Sequence, residues 1–349
     1  MKNWKNNILT RDSSVKDALS RLNMIGIPST VLFIVDESDT LLGSITDGDI
    51  RRGILQNTKL EDSVVSIMNV NCKRIVRNGI NNHSIRQFRD KGIFTIPVID
   101  NGEKIIDILN INDYEEIIPV DAVIMAGGRG ERLMPLTEDT PKPLLEIGGK
   151  PIIEYCIDRL IRFGIQHIYI SVNYLGQKII DYFNDGSERG VSIKYIREEL
   201  PMGTIGSLSL VRSFHHEVVL LMNSDLLTNI ALGDLYNEFV NSGADMAVAT
   251  IPHHVDLPYA ILELQDNSVA SLREKPRYTY FANAGIYLIK KELLDYLPVG
   301  QFYNATDLME KTISEGKKLV HFPILDYWLD IGRSSDYYKA QEDVKHISW

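Results

Sequence analysis

Features that mark several classes of protein are scarce in this sequence of 349 residues. It has only two cysteines, Cys72 and Cys156, and they form no C-x-x-C pair. A disulfide framework or a structural zinc site is therefore not expected, which fits a reducing compartment. No apolar run approaches the roughly 18 residues of a membrane helix, and residues 1–14 lack the apolar centre of a signal peptide. We expect a cytoplasmic protein without a membrane partner.

Positively charged side chains are also fewer than negatively charged ones. Lysine and arginine number 37 against 47 aspartates and glutamates, which gives a formal net charge of −10. This balance argues against nucleic acid as a partner. It does not exclude a small anionic ligand, because a local basic site can exist in an acidic protein. The length suits two domains, and the patterns described below place them at 1–118 and 119–349.

The first half of the sequence repeats itself with a spacing of 64 residues. Each copy has a helix, two strands and a closing helix, predicted at 13–26, 30–36, 41–46 and 47–55 in the first copy and at 84–92, 93–100, 104–110 and 112–118 in the second. Asp36 and Asp100 end matching strands, and Asp49 and Asp113 open matching helices. Both differences, 100 − 36 and 113 − 49, equal 64.

This arrangement resembles a tandem pair of cystathionine-β-synthase-type (CBS) domains, a module that commonly binds adenine or guanine nucleotides. The resemblance implies that Thr46 and Asp49 contact the nucleotide, with Asp113 as a weaker counterpart in the second copy, where Asn110 replaces the threonine. Backbone N–H groups at a strand-to-helix turn also suit phosphate. The alternative is that Thr46 and Asp49 only cap the helix at 47–55. CBS pairs often associate, so a homo-oligomer is expected, and we hypothesise that the pair regulates the second domain.

From residue 121 onward, strands and helices alternate. Strands are predicted at 120–126, 166–174, 191–198 and 217–225, and helices at 152–164, 176–183 and 204–214. This alternation favours an α/β fold with a doubly wound, mostly parallel sheet. Ligands of such sheets bind at the carboxyl ends of the strands. Two segments with chemical potential lie there, the loop 126–132 and the tripeptide Asn223-Ser224-Asp225.

The loop after the first of these strands belongs to the segment MAGGRGERLMPLTEDTPKPL, residues 125–144. It fits neither of two familiar phosphate motifs: a dinucleotide fingerprint needs a glycine where Leu133 stands, and a Walker A loop needs Lys and Ser or Thr after its glycines. The chemistry is still that of an anion site. The glycines let the backbone approach a phosphate, Arg132 offers a planar fork of donors, and Lys142 stands between two prolines that stiffen its segment.

In combination, these residues resemble the signature of sugar-1-phosphate nucleotidyltransferases, G-G-x-G-x-R-L-x-P-L-T-x-x-x-P-K-P-L-L, and the resemblance extends over residues 121–349. It implies a Rossmann-like fold and a Mg²⁺-dependent reaction between a nucleoside triphosphate and a sugar 1-phosphate. The nucleotide and sugar contacts that it implies are Ala126, Gly127, Gly128, Gly130, Glu198, Gly203, Glu274 and Asn283. The catalytic cations that it implies are Arg132, Lys142 and Lys275, and the Mg²⁺ ligands are Asp225 and Asp330.

Departures from the family bear on the substrates rather than on the reaction. Ser224, Ala260, Ile205 and Arg333 stand where other residues are common, and none of these changes removes a charged catalytic group. The turn LPMGTIG is more similar to guanylyl- and mannose-1-phosphate-type members than to pyrimidine-using ones. A CBS pair followed by a transferase is similar to guanylyltransferases that activate glucosamine 1-phosphate for nonulosonic (legionaminic-type) acid synthesis. We expect GTP with glucosamine 1-phosphate or a related hexose 1-phosphate, for nonulosonic acid or surface-glycan precursors.

Three alternatives remain open from the sequence. One is uridylyl-, thymidylyl- or mannose-type transfer within the same family. Another is a glycosyltransferase of similar topology that uses Asn223-Ser224-Asp225 as its metal motif, although such an enzyme has no pyrophosphate to stabilise. The third is a nucleotide-sensing CBS protein with an inactive transferase domain. Release of pyrophosphate distinguishes the expected reaction from the last two.

Overall fold

The computed structural model of the chain describes residues 4–25, 31–76, 80 and 82–347. The chain divides into two compact units, Met1–Ile117 and Ile118–Trp349. In the described ranges, no helix is long and apolar enough to cross a membrane. The predicted end of the first helix at Gly26 lies outside the described residues.

The first unit contains the two copies of the repeat. The elements of the first copy are β1 (Ile8–Thr10), α1 (Val15–Ile25), β2 (Val31–Val35), β3 (Leu41–Thr46) and α2 (Asp47–Leu55). Those of the second copy are β4 (Ile75–Val76), α3 (Asn82–Asp90), β5 (Thr95–Ile99) and β6 (Ile105–Asn110). In each copy the first strand is parallel to the second, and the second is antiparallel to the third.

The spacing of 64 residues holds in the hydrogen-bond register of these sheets. Val31 pairs with Thr46, and Thr95 pairs with Asn110; both 95 − 31 and 110 − 46 equal 64. The register also shifts at the same point of each copy, directly after Ile34 and directly after Val98, which are again 98 − 34 = 64 residues apart. The repeat predicted from the sequence is therefore present in the backbone.

The closing helix predicted at 112–118 is wrong. The structure has only a 3₁₀ turn there, Ile111–Asp113, followed by irregular backbone. The Nη2 atom of Arg89 donates a hydrogen bond to the carbonyl oxygen of Tyr114 at 2.9 Å, so an acceptor that the helix would use is already occupied. The segment then runs into Pro119, and the residue before a proline disfavours helical backbone.

The second unit contains one large sheet. The strands of this unit are β7 (Asp121–Ala126), β8 (Glu146–Ile147), β9 (Lys150–Pro151), β10 (His167–Val172), β11 (Ser192–Arg197), β12 (Val218–Asn223), β13 (Leu226–Thr228), β14 (Met246–Asp256), β15 (Ile261–Gln265), β16 (Ser268–Arg273), β17 (Arg277–Lys290), β18 (Leu319–Pro323) and β19 (Trp328–Asp330). Its α-helices are α4 (Ile152–Arg162), α5 (Gly176–Phe183), α6 (Leu232–Asn241), α7 (Ala305–Ser314) and α8 (Ser334–Asp343). Seven strands form the sheet in the order β11-β10-β7-β12-β17-β14-β18, and only β17 is antiparallel to its neighbours.

Both faces of this sheet are covered by packed side chains. Successive residues of β7 alternate between two hydrophobic cores: Ala122 and Ile124 belong to one, with residues of α4, α5 and α6, and Val123 belongs to the other, with residues of α7. The predicted α/β fold with a doubly wound, mostly parallel sheet is confirmed.

The helix predicted at 204–214 is wrong, since only the 3₁₀ turn Gly206–Leu210 forms. The backbone N–H groups of Ile205 and Gly206 both donate to the carbonyl oxygen of Tyr303, each at 3.2 Å. A Cβ at Gly206 would lie 2.4 Å from the backbone of the same loop. Tertiary contacts thus use the backbone groups and the space that a helix would need.

The order of the strands opens a crevice between β7 and β12. After β7 the chain adds β10 and β11 on one side, and it then crosses to β12 on the other side. Neighbouring parallel strands with connections in opposite directions leave a ligand site at their carboxyl ends. Met125 is the register partner of Asn223. The glycine loop after β7 and Asp225 after β12 therefore emerge side by side.

Histidines surround a buried carboxylate at the amino end of the same sheet. Asp121 is fully buried and accepts the backbone N–H groups of His215 and His216 at 2.6 and 2.9 Å. The ring of His167 stacks on the ring of His215, with the centroids 3.7 Å apart. Burial, together with the neighbouring His215, holds the pKa of His167 below its ordinary value of 6.5, although Asp121 acts in the opposite direction.

We expect the free energy of unfolding to fall as the pH drops below about 6.5. In that range the unfolded chain binds more protons at His167 than the folded chain does. The contribution of neutral His167 to the free energy of unfolding is therefore complete above this pH and is lost below it. Urea unfolding at pH values of about 7.5 and 5.5, on either side of the usual range of histidine, measures the effect. His167→Gln should reduce the difference between the free energies of unfolding at these two pH values, whereas His346→Gln, at an exposed position, should retain it. An undiminished difference in His167→Gln would contradict this assignment.

Candidate active site

A cleft of about 740 Å³ lies at the carboxyl ends of β7 and β12. This volume is typical of small-molecule sites. The predicted site residues on its wall are Gly127, Gly128, Gly130, Arg132, Lys142, Glu198, Gly203 and Asp225. The structure therefore brings together residues that lie up to 225 − 127 = 98 positions apart in the sequence.

The glycine loop is fixed on one side and open on the other. Gly130 has a left-handed φ of +65°, and a Cβ there would lie 3.0 Å from the side chains of both Lys142 and Thr137. The buried Thr137 donates its Oγ1 hydrogen to the carbonyl oxygen of Gly130 at 2.9 Å. Among the described residues, nothing lies within 4 Å of the position that a Cβ of Gly128 would take. The open side exposes backbone to a ligand in the cleft.

The carboxylate of Glu198 is engaged within the protein. Its Oε1 accepts a hydrogen bond from Ser171 Oγ at 2.5 Å, and its Oε2 accepts the backbone N–H of Met202 at 3.1 Å. A Cβ at Gly127 would lie only 3.2 Å from Oε1. Glu198 thus holds the turn that follows it against the glycine loop, and its contact with a substrate stays a prediction. The next residue, Glu199, is exposed on the cleft wall.

Lys142 and Asp225 form an ion pair in the cleft. The Nζ atom of Lys142 contacts Oδ2 of Asp225, and the two side chains are only 13% and 19% exposed. Lys142 begins a short 3₁₀ turn directly after Pro141, whose φ is −61°. Pro141 and Pro143, which flank Lys142, therefore hold a partly buried cation beside a carboxylate. The sequence patterns did not indicate this ion pair.

Asp330 lies close to Asp225 because β13 and β19 pair. Leu226 is the register partner of Asp330, and the backbone N–H of Ile331 donates to the carbonyl oxygen of Asp225 at 3.0 Å. Burial and the negative charge of Asp225 raise the pKa of Asp330 to about 6, despite the opposing effects of nearby cations. Asp330 itself is not part of the cleft wall, but Gly332 is.

The two carboxylates suit a divalent cation. Oδ1 of Asp225 is buried and has no hydrogen-bond partner among the described residues. Burial first, and then the negative charge of Asp225, raise the pKa of Asp330, and a cation held by the two carboxylates would offset both effects. In the described part of the chain, no cluster of three or more His, Cys, Asp or Glu side chains could hold a metal. Phosphate oxygens of a substrate would therefore have to complete the coordination, as is common for Mg²⁺.

Other predicted residues lie off the cleft wall. Ala126 is buried at the end of β7. Glu274 and Lys275 are exposed in the turn between β16 and β17, where Lys275 has a φ of +42°. The structure thus separates the predicted ligand of the sugar phosphate, Lys275, from the cations of the cleft.

Asn283 is also off the cleft wall, in β17. Its Oδ1 accepts the backbone N–H of Gly285 at 2.9 Å, and its Nδ2 donates to the hydroxyl of Tyr287 at 2.9 Å. This part of β17 still borders the cleft, because a Cβ at Gly285 would lie 2.5 Å from the side chain of Asn223, which is a wall residue.

In the first unit, Thr46 and Asp49 form a capping box at the start of α2. The N and Oγ1 atoms of Thr46 donate to Oδ2 of Asp49 at 2.8 and 2.6 Å, and the N of Asp49 donates back to Oγ1 at 3.3 Å. Arg52 pairs with the other oxygen of Asp49 at 2.6 Å. Capping of α2 by Thr46 and Asp49 is therefore confirmed, and nucleotide binding by these residues stays a prediction. Asp113 is exposed in the turn Ile111–Asp113 of the second copy.

The cleft wall also includes residues that were not among the predicted contacts. Among them are Arg129, Glu131, Asn173, Thr204, Phe302 and Gly332. Phe302 is 60% exposed and lies in an irregular segment before α7, where no periodicity points to it. The signal available for Arg129 was its charge, because the signature specifies no residue at its position.

Comparison with known proteins gives the family. The family model for nucleotidyl transferases matches residues 121–347, and that for the CBS domain matches residues 5–56. The chain therefore belongs to the nucleotidyl transferase family. A divalent metal ion is generally used in this family, in agreement with the fit of Asp225 and Asp330.

Several relatives have named activities. A D-glycero-α-D-manno-heptose 1-phosphate guanylyltransferase of Aneurinibacillus thermoaerophilus is 29% identical over 65% of this chain and 99% of its own. A mannose-1-phosphate guanylyltransferase of Mycobacterium tuberculosis is 30% identical, and a UTP–glucose-1-phosphate uridylyltransferase of Synechocystis is 29% identical, each over 64% of this chain. The chain spans 64% and 63% of the lengths of these last two relatives.

A solved structure supports the fold. It comes from Bacillus anthracis and is described as a glucose-1-phosphate thymidylyltransferase; the match has a TM-score of 0.53 and 23% identity over 66% of this chain and 97% of the other. At this identity the likeness concerns the fold alone.

Proposed function

We propose that the chain transfers a nucleotidyl group from a nucleoside triphosphate to a sugar 1-phosphate and releases pyrophosphate. The observation that carries this proposal is the cleft between β7 and β12, whose wall unites the glycine loop with Arg132, Lys142 and Asp225. Open backbone suits a phosphate chain, the cations suit a leaving pyrophosphate, and the carboxylate suits a metal ion.

The proposed mechanism needs no side-chain nucleophile. A phosphate monoester is already largely dianionic at pH 7, since its second pKa is about 6. An oxygen of the sugar phosphate attacks the α-phosphorus, and the bond from that phosphorus to the departing pyrophosphate breaks. Catalysis then consists of positioning and charge neutralisation. Arg132 and Lys142 offset the charge that grows on pyrophosphate, while Glu198 keeps the adjoining turn in place.

Asp225 and Asp330 would hold the metal ion, which we propose to be Mg²⁺. A bound ion would supply positive charge to phosphate oxygens. Lys142 already contacts Oδ2 of Asp225, which leaves the unpartnered Oδ1 as the oxygen available to a cation.

We propose Lys275 as the ligand of the sugar phosphate, with Glu274 and Asn283 as contacts of the sugar. This assignment rests on the sequence signature. Because the turn of Lys275 lies off the cleft wall, the role requires this turn to approach the cleft when the sugar phosphate binds.

For the substrates we propose GTP with glucosamine 1-phosphate or a related hexose 1-phosphate, in the supply of nonulosonic acid or surface-glycan precursors in the cytoplasm. Two of the named relatives are guanylyltransferases, which supports GTP. The uridylyltransferase among the relatives supports the alternative of another base within the same family.

The test is a grid of the four nucleoside triphosphates against several sugar 1-phosphates, with and without Mg²⁺, scored by released pyrophosphate. We expect release only when both substrates and Mg²⁺ are present, fastest with GTP. A glycosyltransferase would release no pyrophosphate from these mixtures, and an inactive nucleotide sensor would bind without turnover. Either result would overturn the proposed function.

We further propose that the CBS pair binds a regulatory nucleotide in a homo-oligomer. Adenosine and guanosine nucleotides should then change the initial rate of the wild type but not that of Asp49→Ala. This variant also removes a helix cap worth about 1 kcal/mol, so a matched control is needed. Asp17→Ala removes the capping carboxylate of α1, whose Oδ2 accepts the N–H of Ser14 at 2.9 Å, and should keep the response. If no nucleotide affects the rate except by competition at the active site, the pair is only structural.

A further inference from the structure

Among the described residues, three cations lie on the cleft wall, and only one of them forms an ion pair. The charged residues of the wall are Arg129, Arg132 and Lys142 on the positive side and Glu131, Glu198, Glu199 and Asp225 on the negative side. Lys142 is paired with Asp225. In the part of the chain that the structure describes, neither arginine has a carboxylate oxygen within ion-pair distance, although the charge of Arg132 opposes the rise in the pKa of Asp330. These two arginines are therefore the positive charge that the wall offers an anion without breaking an ion pair.

We propose that Arg129 binds the triphosphate of the nucleotide and that the ring of Tyr174 positions it for this. The proposal rests on the proposed function, in which Arg132 and Lys142 already have roles. It adds a residue that determines affinity for the nucleoside triphosphate.

Arg129 is held from outside the loop by an aromatic face. Its guanidinium carbon lies 5.9 Å from the centre of the Tyr174 ring, within the distance at which a cation is attracted to such a ring. The hydroxyl of Tyr174 donates to the carbonyl oxygen of Glu138 at 2.9 Å, in the segment that connects the glycine loop to Lys142. Tyr174 thus contacts the glycine loop at Arg129 and the connecting segment at Glu138.

The neighbours of Arg129 in the loop direct it to the cleft. It stands between Gly128, which opens on the cleft, and Gly130, whose left-handed backbone is locked by Thr137. The turn at Gly130 leaves Arg129 and Arg132 on the same wall.

The order of the strands separates Arg129 from the sugar side of the site. Tyr174 follows β10, which lies on one side of β7, whereas Lys275 and Asn283 belong to β17 and its preceding turn, beyond β12 on the other side. Arg129 should therefore contribute to binding of the nucleoside triphosphate and not of the sugar phosphate.

The first test compares Michaelis constants. Arg129→Ala should raise the KM for the nucleoside triphosphate about fivefold, the upper end for a solvent-exposed charge pair. The KM for the sugar 1-phosphate and kcat should stay within about twofold of the wild type, which is the scatter expected for a surface substitution. Arg212→Ala removes the same charge from an exposed position outside this cleft and is the matched control. An unchanged KM for the triphosphate, or an equal rise in both constants, would overturn the proposal.

The second test concerns the ring of Tyr174. Tyr174→Leu removes the ring and should raise the KM for the triphosphate much as Arg129→Ala does. Tyr174→Phe keeps the ring and should retain most of the affinity. If the ring acts through Arg129, the double variant Arg129→Ala with Tyr174→Leu is no worse than Arg129→Ala alone. Fully additive effects would contradict the positioning role.

A binding measurement separates this inference from the proposed function. Calorimetric titration of the full chain with inorganic tripolyphosphate should give binding that Arg129→Ala weakens about fivefold. Binding that depends on Arg129 without any pyrophosphate release would contradict the proposed function and support the inference. Normal turnover with an unchanged triphosphate KM in Arg129→Ala would overturn the inference alone. A chain that neither binds tripolyphosphate nor turns over would overturn both.

Discussion

Lys142→Ala should lower kcat for pyrophosphate release by about tenfold to a hundredfold. A hydrogen bond to a charged group contributes roughly 1.5–3 kcal/mol, and each 1.36 kcal/mol of barrier corresponds to about tenfold in rate. Lys142 is 13% exposed, so it acts where water screens its charge less than at the surface. Its mount between two prolines also means that little reorganisation precedes its action.

The same substitution has a second consequence, because Asp225 loses its partner. Removing one member of a buried ion pair is costly, since the remaining charge is left uncompensated. We therefore expect Lys142→Ala to lower the melting temperature as well. Lys142→Met leaves Asp225 unpaired as well but retains most of the side-chain packing, so kcat is measured in this variant if the alanine variant is unstable.

Lys291→Ala is the matched control for Lys142. It breaks an ion pair with Glu217 whose members are 43% and 81% exposed, with a separation of 3.1 Å. Exposed pairs contribute only about 0–1 kcal/mol, so both kcat and the melting temperature should stay close to those of the wild type. Turnover by Lys142→Met at a rate near that of this control would contradict the role of Lys142.

Gly203→Ala should destabilise the second unit more than an ordinary glycine replacement. Gly203 has a φ of +74°, and a Cβ there would lie 2.5 Å from the carbonyl oxygen of Tyr303. Left-handed backbone costs a residue with a Cβ roughly 1–2 kcal/mol, and a steric overlap in a packed site adds about 1–3 kcal/mol. For a unit of this size each kcal/mol lowers the melting temperature by about 2–4 °C, so a loss of about 4–20 °C is expected.

Gly316 isolates the steric part of this effect. Its φ is +69°, close to that of Gly203, but among the described residues nothing lies within 4 Å of the position of a Cβ. Gly316→Ala therefore carries the backbone strain without the overlap and should lose only a few degrees. Thermal unfolding of the two variants gives the comparison, and equal losses would mean that the contact with Tyr303 is not tight.

Periodicity and turn chemistry were sufficient to predict most of the fold. The buried runs that became β7, β10 and β12 and the amphipathic pattern of α4 are local features, and they appear where they were expected. The two helices predicted wrongly fail mainly for non-local reasons, although Pro119 is a local signal against the first of them. Tyr114 and Gly206 find hydrogen-bond partners in Arg89 and Tyr303 respectively, far along the chain, and no local pattern contains that information.

The candidate site was predicted to a similar degree. The motif glycines, Arg132 and Lys142 could be named because they lie close together in one segment of the sequence and are residue types that suit phosphate. The partners of these residues could not. The engagement of Glu198 by Ser171, and the contact of Arg129 with Tyr174, depend on which strands become neighbours in the sheet.

The pairing of β13 with β19 determines when, during folding, the second unit becomes able to bind a divalent cation. It joins Asp225 to Asp330 across 330 − 225 = 105 residues, and contacts of such long sequence separation carry a high entropic cost and tend to form late. A partly folded unit can already contain the glycine loop, because this loop follows β7 directly in the sequence, whereas the pairing of β7 with β12 joins residues 223 − 125 = 98 positions apart. It would still lack the carboxylate pair. Affinity for a divalent cation should therefore appear at the end of refolding, which makes it a measure of completed folding rather than of loop formation.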